Sequence, residues 1–174
     1  MKGVIVQCLE NLVKEKFGKD KWEQSLENAG LQKNTIFLAT EDVDDSAILN
    51  VIGCLCKNLN INLNQAADAF GDYWVNVFAP KVYNSFYIGV NSAKEFLLKM
   101  DDVHKLTTNT IPNAKPPRFE YEWKDDKTLI MQYNSTRGLI DFFVGLVKGV
   151  GKYYNENIDV RKLGTDKIEI VFTA

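Results

Sequence analysis

A change of hydrophobic period divides this sequence and limits the folds open to it. Up to about residue 108 apolar residues recur at helical spacing, whereas from Phe119 onward two stretches alternate apolar and polar at every second residue. Residues 3–17 align Val4, Ile5, Cys8, Leu9, Leu12, Val13 and Phe17 on one helical stripe. Gly18-Lys19-Asp20 closes that helix, and Asp20 is expected to cap a second one through Trp22 and Leu26 to Asn28. Thr35 to Thr40 reads as a short extended piece, and a helix is expected from Ser46 to Asn58. Asn62-Leu63-Asn64-Gln65 has the form of a capping box. The helix it starts carries Phe70, Trp74, Val77 and Phe78 and is expected to reach about Ala79, where Pro80 would stop it. After a connector at 83–90, one helix from Asn91 to Thr108 would turn Phe96, Leu97, Met100, Val103 and Leu106 inward.

The C-terminal part reads differently. Phe119, Tyr121 and Trp123 alternate, Lys124-Asp125-Asp126-Lys127 turns, and Thr128 to Tyr133 returns as a second strand. Gly138 to Asn155 follows as a helix with Leu139, Phe142, Phe143, Leu146, Val147 and Val150 on its apolar side. Ile158 to Leu163 and Ile168 to Phe172 flank a Gly164-Thr165-Asp166 turn as a closing hairpin. Helices followed by β-β-α-β-β give an α+β fold, a helical lobe packed on a lobe with a four-stranded antiparallel sheet. The 174 residues fit one domain of two lobes, residues 1 to about 65 and about 66 to 174.

Composition excludes several functions. Lys plus Arg number 21 against 23 Asp plus Glu, a near balance without a basic, aromatic-interleaved patch, so nucleic acid is not expected as a partner. Cys8, Cys54 and Cys56 are odd in number, and Cys54 and Cys56 diverge by about 200° on a helix, so they read as buried reduced thiols. Gln7, Glu10 and Asn11 break the first apolar run before a signal peptide forms, and no apolar run nears the ~20 residues of a membrane span. A soluble cytoplasmic protein is expected. The acidic run Glu41 to Asp45 fails as a calcium loop, because Ala47 and Gly53 stand where Gly and Glu are required. A phosphate loop ending at Lys152 fails on Leu146 and Tyr153.

Two features carry positive chemistry. On a strand, Tyr133, Ser135 and Arg137 would leave from one face and span about 13 Å, a row of donors for an acidic ligand with several anionic oxygens. An ordinary strand end with a solvated arginine is the alternative. The chain also holds one histidine, His104, on the apolar side of its expected helix. One histidine without cysteine neighbours makes no zinc site, but one axial imidazole holds a haem iron, and a haem brings two propionates for the donor row. With no second histidine, neither a hydrolytic triad nor a peroxidase-type acid–base histidine is available.

Met100-Asp101-Asp102-Val103-His104, Ile111-Pro112-Asn113-Ala114-Lys115-Pro116-Pro117-Arg118 and Tyr133-x-Ser135-x-Arg137 together resemble the haem-nitric oxide/oxygen binding domain, H-NOX. Met1-Lys2-Gly3 and the acidic run before Asp45 add to the likeness, which covers essentially the whole chain. The resemblance implies a haem b between the lobes, with His104 on the iron and its propionates on Tyr133, Ser135 and Arg137. It further implies haem packing by Pro117, Ile5, Phe78 and Leu146, an ion pair between Asp45 and Arg137, and a distal pocket of Leu9, Trp74 and Phe142. Oxygen binders of this family look to keep a tyrosine where Phe142 stands, so nitric oxide, with carbon monoxide as a further ligand, is expected in preference to oxygen. The implied mechanism is loss of the Fe–His104 bond on nitric oxide binding, relief of haem strain imposed by Pro117 and Ile5, and rotation of the lobes. No catalysis is expected. The signal would pass to a separate sensor histidine kinase or cyclic-di-GMP enzyme, with an oxygen-binding or non-signalling haem carrier or scavenger as the other reading.

Overall fold

The computed structural model describes residues 1–173. The chain divides into two compact units, Met1–Ala66 and Ala67–Ala174.

The first unit is built on α1 (Gly3–Phe17), α2 (Lys19–Asn28) and α3 (Asp45–Leu59). Helices of 10 to 15 residues are marginal alone, so burial sustains them. Val6, Leu12 and Val13 of α1, Trp22 and Leu26 of α2 and Ile48, Val51 and Leu55 of α3 are buried. Asp20 does not cap α2. The chain reverses at Gly18, φ 97°, and α2 begins one residue later, which puts Asp20 inside its first turn. Asp44 caps α3 through the Ala47 N–H at 2.9 Å, and Asn60 ends it in the left-handed region, φ 54°. Residues 35–40 form no strand: among the described residues this region's ladder contact is a single bridge of Lys2 to Asp42. Gly3 is required beside it, because a Cβ there would lie 2.0 Å from the Leu38 carbonyl oxygen. Cys8 is buried, whereas Cys54 and Cys56 are only half-buried, since α3 turns its fully covered face toward Ile48, Val51 and Leu55.

The helix α4 (Leu63–Tyr73) starts on the expected capping box: the Gln65 N–H donates to Asn62 Oδ1 and the Asn62 N–H to Gln65 Oε1, both at 2.9 Å. Pro80 does not stop it. The backbone widens into a π turn at Trp74–Phe78 and runs on as α5 (Ala79–Val82), with Pro80 in the first turn. A 3₁₀ turn at Asn84–Phe86 leads to α6 (Ala93–Leu98) and α7 (Met100–Thr108), two helices where the periodicity predicts one. Leu106, expected inside, is 67% exposed, and no residue of α7 is buried.

The strands are β1 (Arg118–Trp123), β2 (Thr128–Asn134), β3 (Ile158–Lys162) and β4 (Lys167–Phe172). They form an antiparallel sheet in the order β1-β2-β4-β3. Met131 pairs with Ile168 and Leu129 with Ile170, placing fully buried side chains on the face that shares a core with Phe143, Val147 and Val150 of α8 (Ile140–Tyr153). Helices α4 and α8 meet backbone to backbone. A Cβ on Gly145 would stand 2.1 Å from the Ala67 carbonyl, and one on Gly149 2.5 Å from the Gly71 carbonyl. Lys148–Asp68 at 2.9 Å and Lys152–Asp72 at 2.7 Å flank this crossing. Among the described residues no helix is long and apolar enough to cross a membrane.

Candidate haem site

His104 lies on α7, a helix held by polar contacts at its first turn. Arg118 grips Asp101 with both edges of its fork, Nε to Oδ1 at 2.7 Å and Nη2 to Oδ2 at 2.6 Å, and the Phe119 N–H donates to the same carboxylate at 3.1 Å. The Asp101 N–H donates to the Tyr121 hydroxyl at 3.2 Å, and that hydroxyl donates to the Leu97 carbonyl at 3.1 Å. Arg118 holds the Asp101 carboxyl well below the usual carboxylate range. One turn further along, His104 Nδ1 stands 2.7 Å from the Met100 carbonyl oxygen. A carbonyl only accepts, so Nδ1 carries the proton and Nε2 keeps its in-plane lone pair, the tautomer suited to a metal ligand. The ring is half-buried, 5.3 Å from the Phe119 ring. Burial pushes its pKa below the ordinary histidine value, the Met100 bond and Asp101 opposing, which keeps the imidazole neutral.

Tyr133, Ser135 and Arg137 do not share one strand face. The last residue of β2 with a ladder partner is Asn134, opposite Arg118, and the chain then turns through Thr136 and Arg137 toward Gly138, φ 65°. Strand alternation therefore orients Tyr133 but not the other two. Tyr133 is buried, stacked on Phe143 at 5.3 Å and 6.1 Å from Phe119. Ser135 Oγ accepts the Arg137 N–H at 3.3 Å, and Arg137 Nη1 donates to the Lys115 carbonyl at 2.7 Å, two residues before Pro117. The hydroxyls and the guanidinium thus come from a strand end and its turn.

A second aromatic group lies on α4, the π turn and α8. Phe142 is buried and meets Phe70 edge-on at 5.5 Å. Trp74 is stacked between Phe70 at 5.9 Å and Phe78 at 5.6 Å, with Tyr83 at 6.3 Å, and Leu146 packs half-buried against the core. In the first unit Leu9 is buried, Ile5 is half-buried, and Asp45 is ion-paired with the Met1 ammonium.

These residues fit a haem better than a bare ion. Among the described residues there is no cluster of three or more His, Cys, Asp or Glu side chains that could hold an ion. A macrocycle brings four ligands of its own and needs one imidazole, which the Nδ1-protonated His104 offers. Sequence reasoning missed the Asp101–Arg118 lock, although its signal was there: a carboxylate one turn before His104 and an arginine directly after Pro117.

Comparison with known proteins agrees with this geometry. A family model described as haem-NO-binding matches residues 2–162. Two Caenorhabditis elegans proteins, soluble guanylate cyclases gcy-34 and gcy-35, are 24% and 23% identical over 156 and 173 residues, covering 87% and 97% of this chain. These matches take in 23% and 25% of the relatives, so the chain spans about a quarter of the length of the curated relatives it matches. Among solved structures, a Cs H-NOX variant bearing 4-cyano-L-phenylalanine aligns with a TM-score of 0.90 at 26% identity, covering 100% of this chain and 97% of that one. An oxygen-binding H-NOX domain related to soluble guanylate cyclases, in its oxygen complex, aligns at 0.85 and 26%, covering 100% and 96%. With a family model along almost its entire length and the fold of solved H-NOX domains throughout, the chain belongs to the haem-NO-binding family, haem-based gas-sensor domains of the soluble guanylate cyclase type that are not themselves catalysts.

Proposed function

We propose that this chain senses nitric oxide at a ferrous b-type haem ligated by His104. The observation that carries the reading is the 2.7 Å contact of His104 Nδ1 with the Met100 carbonyl, which leaves the Nε2 lone pair available as a ligand. A ferrous haem held by His104 would supply the metal to which a diatomic gas binds. Tyr133, Ser135 and Arg137 are the proposed propionate donors, and Pro117, Phe78 and Leu146 the packing residues.

Preference for nitric oxide over oxygen rests on Phe142. Bound oxygen is polar and gains from a hydrogen-bond donor, whereas nitric oxide depends chiefly on the metal bond. Phe142 and Leu9 offer none, and Trp74 is the one indole in the proposed distal group. The output we assign is release of His104 and movement of α7 against β1, where the Asp101–Arg118 pair and the Tyr121 hydroxyl hold it. A sensor histidine kinase or cyclic-di-GMP enzyme is the proposed reader of that movement; the cyclases among the relatives mark a third kind of output. An absorption spectrum of the purified ferrous protein tests the reading. The Soret band should move with nitric oxide and with carbon monoxide and stay unchanged in air. A stable complex in air would overturn the preference, and a chain that takes up no haem would overturn the assignment.

A further inference from the structure

The π turn that carries Trp74 and Phe78 has a defect in its own hydrogen bonding, and a distant tyrosine repairs it. In this register the N–H of a residue seeks the carbonyl five positions back, as the Ala79 N–H does with Trp74. The next donor in the series would be residue 80, aimed at the Val75 carbonyl, and Pro80 has no N–H. Val75 is buried, and a buried carbonyl without a donor is costly. The Tyr87 hydroxyl donates to that carbonyl at 3.2 Å, across twelve residues of chain. Tyr87 is itself buried and wedged between Phe96 of α6 at 4.9 Å and Tyr153 of α8 at 5.0 Å, so the donor is fixed by the core and not by the turn. Burial also pushes its phenol up, so the hydroxyl stays a donor at any working pH. On its other side the turn is tied by Asn76, whose amide nitrogen reaches the Asp72 carbonyl at 3.0 Å and the Gly149 carbonyl of α8 at 3.1 Å.

We propose that Tyr87 is a positioning residue for the gas site: its hydroxyl supplies the hydrogen bond that Pro80 withholds from Val75 and thereby fixes the aromatic wall of Trp74 and Phe78. This rests on the reading of Trp74 and Phe78 as residues of a haem pocket. The hydroxyl bond itself is independent of that reading, so the two fail separately.

The test uses the full chain, with hydrogen exchange on the haem-free protein and carbon monoxide association on the haem-loaded one. Tyr87→Phe removes only the hydroxyl. The amides of Ala79 and of residues 81 to 83 should exchange roughly tenfold faster, the effect of one lost net hydrogen bond, and carbon monoxide should associate faster as the wall loosens. Pro80→Ala restores the missing N–H, so adding Tyr87→Phe to it should change neither readout further. Tyr154→Phe, which removes a buried hydroxyl without a partner from the same aromatic cluster, should match wild type. Equal penalties for Tyr87→Phe with and without the Pro80→Ala substitution, or exchange raised evenly through the unit, would overturn the hydrogen-bond assignment. Local exchange gains with an unchanged association rate would overturn the link to the gas site. A wild type that binds no haem removes the pocket reading and with it that link, while the exchange data still decide what Tyr87 does.

Discussion

Two helices of the second unit meet the same sheet and core by opposite means. The helix α8 buries Ile140, Phe142, Phe143, Val147 and Val150 and brings Gly145 and Gly149 against the backbone of α4, so that not even a methyl group fits between them. The helix α7 has no fully buried residue, only half-buried ones such as Met100 and His104, and is held by a carboxylate, a guanidinium and a phenol near its first turn. Apolar packing at backbone contact has one good arrangement and resists sliding. Polar contacts at an exposed edge can be exchanged for water at little net cost. The residue proposed to hold the iron sits on the helix held by polar contacts, and Phe142, proposed to face the gas, sits on the close-packed one. Such a division suits a sensor: a fixed pocket wall and a mobile reporter.

The sharpest way to break this contrast is at the α4–α8 crossing. Gly145→Ala places a methyl 2.1 Å from the Ala67 carbonyl. Overpacking of that kind costs about 1–3 kcal/mol, more than the ~1 kcal/mol that alanine gains over glycine in a helix. A lower denaturation midpoint is expected, and an unchanged midpoint would show that the crossing gives way and that α8 is no rigid wall. Phe142→Tyr changes chemistry and leaves the packing nearly intact. A phenol donor worth about 1–1.5 kcal/mol would raise oxygen affinity roughly tenfold, measured as a band shift in air that wild type lacks. The smallest global effect is expected at Asp101→Asn, which weakens the clasp on Arg118. Amides of α7 should exchange faster while the denaturation midpoint barely moves; a loss as large as that of Gly145→Ala would mean α7 is packed as firmly as α8. Wild type should show the same loosening in acid. Arg118 holds the Asp101 carboxyl far below its ordinary value of about 3.9, so the clasp contributes fully above that pH, contributes less below it, and is lost only as pH falls through the depressed value.

The same contrast explains what the sequence could disclose. The stripe of α8, the paired strands β1 and β2 and the capping box at Asn62 rest on local patterns and are present, although β2 buries Leu129, Ile130 and Met131 in succession and does not alternate. The break at Lys99 has no glycine or proline to mark it; it comes from the polar attachment of α7 to β1, which pairs residues far apart in sequence. Leu106 fits a helical stripe continued from α6, but the stripe is interrupted at that break and Leu106 turns to solvent. Pro80 reads as a helix stop because an α register leaves it no donor role; the π turn before it and the Tyr87 hydroxyl accommodate it, and neither is visible in a local window. His104, Tyr133, Ser135 and Arg137 were legible as a set of chemical groups, while the strand geometry expected for Ser135 and Arg137 does not hold, since β2 ends at Asn134.

The central claim is that His104 holds the iron, and one variant tests it most directly. In His104→Gly, haem should be lost during purification and the ferrous Soret band should appear only when imidazole is supplied to fill the gap. Full haem occupancy with a ferrous spectrum identical to wild type, without imidazole, would contradict the account.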